Sequence, residues 1–559
     1  IGKLGLRLNK AKWGNIGYGF SGFLRKGLYE GLRHEGELRL QRGTWTIDGK
    51  GSYLETDEID RQTRFFRPNF RITKQLPWLD DWEIGWAGER EKSERYDGLT
   101  DTLLSSSFHY DRYSIFLKSP EKETYQLGLQ FNQRKDFAPT TTRFEQSTTA
   151  SELAVDGSWR TKGKRNRLRL GGGFTYRELA ILRADLSPEQ PAETYLGRTD
   201  VNINLFRGAV QANTIYNIGS GQEPKIEYTY AQVRPGSGTH IWLDSIYNND
   251  GKIQEFEMEI APFQDLADYI RISNITDEFI RTDNVSFNQS LRITPRAVWF
   301  NKKGFKKWLS RWSARTNLQI NRKTRAAPQV RTYDPFQVNI SDTALVSLRS
   351  TINNNLFFNQ TDPKYGFQLG QKDNRSRVVQ TSGFESRRLT DWFIQGRWNM
   401  SQSVSTRFTT TFGQKESDSE FFSNREYLLK FWRLEPELTF QKDQSFRTIL
   451  RYKYQQDRNT ISPEGEEAQQ HDLSLEMVYK QRLLNLRFSY VDVAYEGQAN
   501  SPAGLAILNG LQQGQNFIWN LSLNRQLAKN ILLVLSYEGR KTGTARVIHV
   551  GRAQVAATF

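Results

Sequence analysis

Apolar and polar side chains alternate along most of this chain with a period of two, the mark of strands that have one greasy and one polar face. In the second half the alternation is nearly continuous. Trp392, Ile394, Gly396, Trp398 and Met400 interleave with Gln395, Arg397 and Asn399, and Val404, Thr406, Phe408 and Phe412 interleave with Ser405, Arg407, Thr409 and Thr411. Trp432, Leu434, Leu438 and Phe440 come next, followed by Phe446, Leu450, Tyr452 and Tyr454 against Arg447, Arg451 and Lys453. The pattern runs on through Leu473 to Tyr479, Leu484 to Tyr490, Phe517 to Leu523 and Leu533 to Tyr537, with Arg487, Asn520, Glu538 and Arg540 on the polar parity. Pro436 falls on an apolar parity and predicts a bulge or bend.

The first half carries the same signature with more interruptions: Trp82, Ile84 and Trp86; Tyr125 to Phe131; Leu168, Leu170, Phe174 and Tyr176 against Arg167 and Arg169; Val201, Ile203 and Leu205. Lys162-Gly163-Lys164 and Arg207-Gly208 read as tight turns between segments. An outer-membrane strand with its share of turn takes about twenty residues, so about 22–26 strands account for the length. A propeller or solenoid would show a repeated motif every 40 to 50 residues or so, and none is visible. The fold class expected is therefore all-β, a single transmembrane antiparallel β-barrel of roughly two dozen strands over residues 1–559.

Composition agrees with that reading. The apolar fraction is 37%, aromatics reach 13% and the mean hydropathy is −0.68. The longest apolar run, Ile531 to Leu535, is far short of the roughly twenty residues a membrane helix needs. A barrel escapes this hydropathy test because only alternate residues meet lipid. With no cysteine, disulfide and thiolate chemistry are excluded. The sequence opens at Ile1 without a leader pattern, and the expectation is that either a signal peptide has been removed or further sequence precedes it.

The net charge is +16 and the basic residues are dispersed. No nucleic-acid motif accompanies them, and nucleic acid is not an expected partner. In a barrel they belong to the lumen and the rims. Arg167, Arg169, Arg397, Arg407, Arg447, Arg451, Arg487 and Arg540 share the polar parity and are the expected lumen-lining set, biasing a pore toward anions. Rim lysines and arginines would face outer-membrane lipid and lipopolysaccharide.

At the end of the chain, Val547, Ala553, Val555, Ala557 and Phe559 fall on one parity. An alternating segment that stops on an aromatic residue is similar to the last strand of bacterial outer-membrane barrels. That resemblance implies an outer-membrane address and makes Phe559 the signal read by the barrel-assembly machinery.

Two segments break the alternation. The first, residues 236–279, is acidic in a basic protein and holds Trp242-Leu243-Asp244, Tyr247-Asn248-Asn249-Asp250-Gly251 and the glutamates 255, 257 and 259. With Gly251 as the sixth place of a calcium loop, Asn248 is third, Asp250 fifth and Glu257 twelfth, which is oxygen-ligand spacing for Ca2+. The first place falls on Ile246, which has no ligand side chain, and Asp244 would need a two-residue bulge to serve. The bland alternative is an Asn-Asp-Gly turn with solvated acids. This stretch, with Tyr228-Thr229-Tyr230, Pro235 to Thr239 and Ala261-Pro262-Phe263, resembles part of large, poorly characterised outer-membrane proteins of Bacteroidota. The resemblance covers about forty residues and implies an address, with no activity attached.

The second segment, residues 301–312, reads NKKGFKKWLSRW, with Phe305, Trp308, Leu309 and Trp312 at helical spacing among lysines and arginines. It predicts a short basic amphipathic helix for a headgroup layer or a partner protein, or else a basic loop leading into a strand.

The five histidines are scattered singly, without metal-ligand spacing, and no enzyme is expected. Two functions compete. One is a channel or transport component with a basic lumen. The other is a non-conducting barrel that serves as a subunit or scaffold of an outer-membrane secretion, insertion or assembly complex, with a lipoprotein or second barrel as partner.

Overall fold

The computed structural model describes the chain except residues 1, 11, 26–28, 59, 123, 162, 164–165, 190, 248, 255–256, 326–330, 332, 338–344, 381–382, 420–424, 444, 462–464, 480–483, 529–530 and 558–559. Among the described residues the protein is all-β, with 73% of them in strands and a large antiparallel sheet of 25 strands, within the number expected from the alternation. Two further strands, His240–Trp242 and Met258–Ile260, have only three residues each. Among the described residues no helix is long and apolar enough to cross a membrane.

The chain divides into two compact units, Ile1–Ile203 with Thr214–Gly221, and Asn204–Asn213 with Gln222–Phe559. In the first, each strand pairs antiparallel with the next, from Gly2–Lys10 on Gly14–Arg25 to Phe144–Arg160 on Arg167–Ile181. The second unit repeats this order from Tyr269–Ile293 on Trp312–Arg325 to Ile531–Thr542 on Ile548–Ala557. Hairpin after hairpin is the strand order of an up-and-down β-barrel wall. Pro436 departs from expectation: pairing passes from Leu434↔Tyr454 to Glu437↔Arg451 in equal steps on both strands, so no register shift occurs. Lacking an N–H, Pro436 gives up a ladder bond without making a bulge.

Burial in this sheet is inverted relative to a soluble one. Trp392, Ile394, Trp398, Phe408 and Phe412 lie exposed on one face. On the opposite parity Thr411, Gln455, Asp457, Gln470, Ser474 and Ser489 are buried. A soluble antiparallel sheet turns its apolar face inward. Three histidines lie on the apolar parity of their own strands, and each hydrogen-bonds a tyrosine of the adjacent strand: His34 with Tyr18 at 2.6 Å in the first unit, and His471 with Tyr452 at 2.8 Å and His549 with Tyr537 at 2.8 Å in the second.

The two ends of the strands in the second unit differ. At one end most connections are brief, as between Phe358 and Tyr365 or Asn399 and Val404, with the basic stretch 294–311 as the exception. The other end carries the insertion 233–268 and the connection 497–513, which holds the helix Pro502–Leu508. Ser501 caps that helix, accepting the Gly504 N–H at 2.9 Å, Pro502 starts it, and Asn509 closes it in the left-handed conformation. Its Ala503, Ile507 and Leu508 pack on Leu429, Ala468, Val491 and Val493, which lie on the polar parity of their strands, making a small apolar core at the loop end.

Two expected boundaries move. The strand Tyr269–Ile293 begins inside the stretch 236–279, so the acidic insertion ends by residue 268. The basic stretch 301–312 contains the one-turn helix Phe305–Leu309, preceded by Arg296–Trp299, and the next strand starts at Trp312.

Candidate functional site

The acidic insertion folds as a small hairpin, His240–Trp242 against Met258–Ile260. Between these strands the chain makes one helical turn at Asp244–Ile246 and then reverses through Asn249 and Gly251, both at positive φ. Asn and Gly are the residues that tolerate this conformation. The reversal brings Asp244 back over the loop: its Oδ1 accepts the Asp250 N–H at 2.9 Å and its Oδ2 accepts the Gly251 N–H at 3.1 Å.

Glu257 enters from the far side and is fully buried. Its Oε2 accepts the Trp242 indole N–H at 2.8 Å and the Gln254 N–H at 3.1 Å, while Oε1 has no hydrogen-bond partner among the described residues. Carboxylate oxygens of Asp244, Asp250 and Glu257 all lie within 4.8 Å of one another. Two of the three residues expected to bind metal, Asp250 and Glu257, are therefore brought together. The third, Asn248, lies outside the described residues, as does Glu255. Asp244 occupies the role that spacing assigned to the place of Ile246.

A second layer ties this hairpin to the sheet. Glu259 accepts the Tyr247 hydroxyl at 3.1 Å and pairs with Arg387 at 3.0 Å and with Arg425 at 3.2 Å. Arg425 is itself buried, also pairs with Glu385, and sits 4.9 Å from the centre of the Tyr247 ring. Burial, with help from the Glu259 carboxylate, pushes the Tyr247 phenol above its ordinary range. Further along, Asp265 accepts the Arg540 guanidinium at 2.6 Å, and that guanidinium lies 3.8 Å from the centre of the Phe263 ring. Phe263 also covers Gly510, where a Cβ would meet the ring at 2.3 Å, so the insertion and the 497–513 connection interlock through a glycine.

The expected lumen arginines have varied surroundings. Arg407 and Arg451 flank Glu437 at 3.3 and 2.8 Å, and Arg397 donates to the Asp362 carbonyl at 2.7 Å. Arg487 stands opposite Glu476 in the ladder, Arg447 opposite Val478, and Arg540 holds Asp265. Arg167 and Arg169 are exposed in the first unit. The polar face thus alternates in charge more than the arginine count suggests. Phe559 lies outside the described residues. Arg387 and Arg425, which seat the insertion, carry no local motif and were not singled out by spacing. Arg387 does share the polar parity of Arg397, the one signal that could have flagged it.

No protein-family model and no curated protein matches the chain. Among solved structures it is similar to the FrpB iron transporter of Neisseria meningitidis, F3-3 variant, at 9% identity and a TM-score of 0.31, over 89% of this chain and 77% of that one. It is similar to BauA, the ferric preacinetobactin receptor of Acinetobacter baumannii, at 9% identity and 0.31, over 97% and 84%. The ferric enterobactin receptor PfeA of Pseudomonas aeruginosa follows at 10% and 0.29, over 94% and 74%. Likeness at this level carries no argument about what the chain does.

Proposed function

We propose that the protein is an outer-membrane β-barrel of transport type, with the exposed apolar face toward lipid and the polar face lining a lumen. The observation that carries this reading is the inverted burial, large apolar side chains exposed on one face and hydrogen-bonded or ion-paired polar groups buried on the other. Water could not keep so much apolar surface bare, whereas a bilayer supplies its partner. The tyrosine–histidine pairs on the apolar face of the second unit, His471 with Tyr452 and His549 with Tyr537, fit an interfacial aromatic girdle. Apart from the basic connection 294–311, the turns at one strand end of the second unit are brief, while the other end carries the insertion 233–268 and the connection 497–513, a contrast that fits periplasmic and external ends. Phe559 would serve the barrel-assembly machinery, and the kinship would lie with the Bacteroidota proteins that the 228–270 stretch resembles.

A planar bilayer with the purified chain under a salt gradient tests conduction. Anion-preferring steps whose selectivity falls as salt screens the arginines support a basic lumen. Cation preference refutes it. The second reading, a non-conducting scaffold with a lipoprotein or second-barrel partner, draws support from the acidic insertion seated on Arg387, Arg425 and Arg540. A silent bilayer favours it.

A further inference from the structure

We propose that Asp244, Asp250 and Glu257 form a binding site for one calcium ion that locks the acidic insertion in place. Three carboxylates converge within 4.8 Å, an arrangement whose mutual repulsion a cation among them would relieve. The second observation is independent of that clustering. Glu257 is fully buried, and among the described residues its Oε1 makes no hydrogen bond while Oε2 makes two. A buried carboxylate oxygen without a partner is costly, and a coordinated ion removes the cost.

The donor set selects the metal. All three ligands are hard carboxylate oxygens, which suit calcium or magnesium rather than zinc or copper. They hang on a turn of irregular geometry, which calcium accepts and which magnesium, demanding a near-ideal octahedron, does not. Asp244 keeps its two backbone N–H bonds and still has lone pairs to offer, since each carboxylate oxygen has two. The Trp242 indole fixes Glu257 from behind, as groups outside a metal's own ligands commonly do. Binding would stiffen the hairpin whose next strand carries Glu259, and so hold that side chain toward Arg387 and Arg425. The site does not depend on whether the barrel conducts.

The contact between Trp242 and Glu257 supplies the probe. Terbium added to the full chain in detergent micelles should luminesce on tryptophan excitation, and calcium should displace it with a half-effect near about 10⁻⁴–10⁻³ M, the range of extracellular modules. Glu257→Gln keeps an oxygen for the indole and removes the charge. It and Asp250→Asn should each weaken terbium and calcium binding at least about tenfold. Asp443→Asn, in a turn elsewhere, should leave both unchanged, and retained strand circular dichroism should show that all three variants fold. Emission insensitive to calcium at about 10 mM, or unaltered in folded Glu257→Gln and Asp250→Asn, overturns the site.

Discussion

The two irregular segments of the second unit, one acidic and one basic, meet opposite fates. The acidic insertion turns onto the sheet: Glu259 reaches Arg387 and Arg425, and Asp265 reaches Arg540. The basic segment presents itself outward. Phe305 is 71% exposed and Trp308 46%, and its lysines make few contacts, among them Lys307 donating to the Phe300 carbonyl at 2.8 Å. Composition alone would label both as charged loops. What separates them is the availability of opposite charge on the face beside each one, and the acidic segment finds arginines while the basic one keeps its aromatic rings free for another medium.

The sharpest way to break this comparison is to remove Arg425. It is buried between two glutamates, and its loss takes that partner from Glu385 and leaves Glu259 with Arg387 and Tyr247 in partly dry surroundings. Arg425→Ala should therefore cost about 3–5 kcal/mol and should speed hydrogen exchange across residues 236–268. The matching change in the basic segment, Lys307→Ala, removes an exposed charge and should cost less than about 1 kcal/mol. Equal effects, measured as denaturant midpoints of the two variants, would erase the distinction between a seated and an exposed segment.

A smaller effect isolates packing from charge. Gly510 has φ +81, and any Cβ there would strike the Phe263 ring that also stacks on Arg540. Gly510→Ala should cost about 1–2 kcal/mol for the left-handed backbone alone. Beyond that it should displace Phe263 and raise proteolytic cutting of the insertion. Phe263→Ala in the same background should relieve the clash and recover part of the loss. If the double variant is no better than the single one, the ring and the glycine do not interlock.

How far the sequence revealed this arrangement follows from the range of each interaction. Face and strand number were legible because period two is local: Trp392 and Ile394 name their side without knowledge of any partner. Asp250 and Glu257 were legible as candidate ligands for the same reason, their spacing lying within one loop. Asp244 was legible only as a substitute that needed a bulge, because its role depends on the left-handed turn at Asn249 and Gly251 that shortens the path back to the cluster. Arg425 and Arg540 were illegible as anchors, since Glu259 lies 166 residues from the first and Asp265 lies 275 from the second. Such pairs are set by strand order at the loop end, which no local pattern encodes.

The smallest effect expected concerns where the basic segment rests. Phe305 and Trp308 stack with centroids 5.7 Å apart on one side of a single helical turn, with Lys306 and Lys307 in the same turn. Rings of this kind settle at the depth of lipid headgroups, and each nearby lysine adds about 1 kcal/mol of attraction to an anionic surface. Stability should hardly register it, so depth has to be read directly. The chain has no cysteine, and Phe305→Cys therefore offers a single site for a nitroxide label. In bilayers containing anionic lipid the label should be more accessible to oxygen than to a water-soluble relaxant, and a label at Asn301→Cys should show the reverse. A label at residue 305 that meets the aqueous relaxant as freely as one at 301 would show that the rings stand in water, and the contrast with the seated acidic insertion would then rest on charge alone.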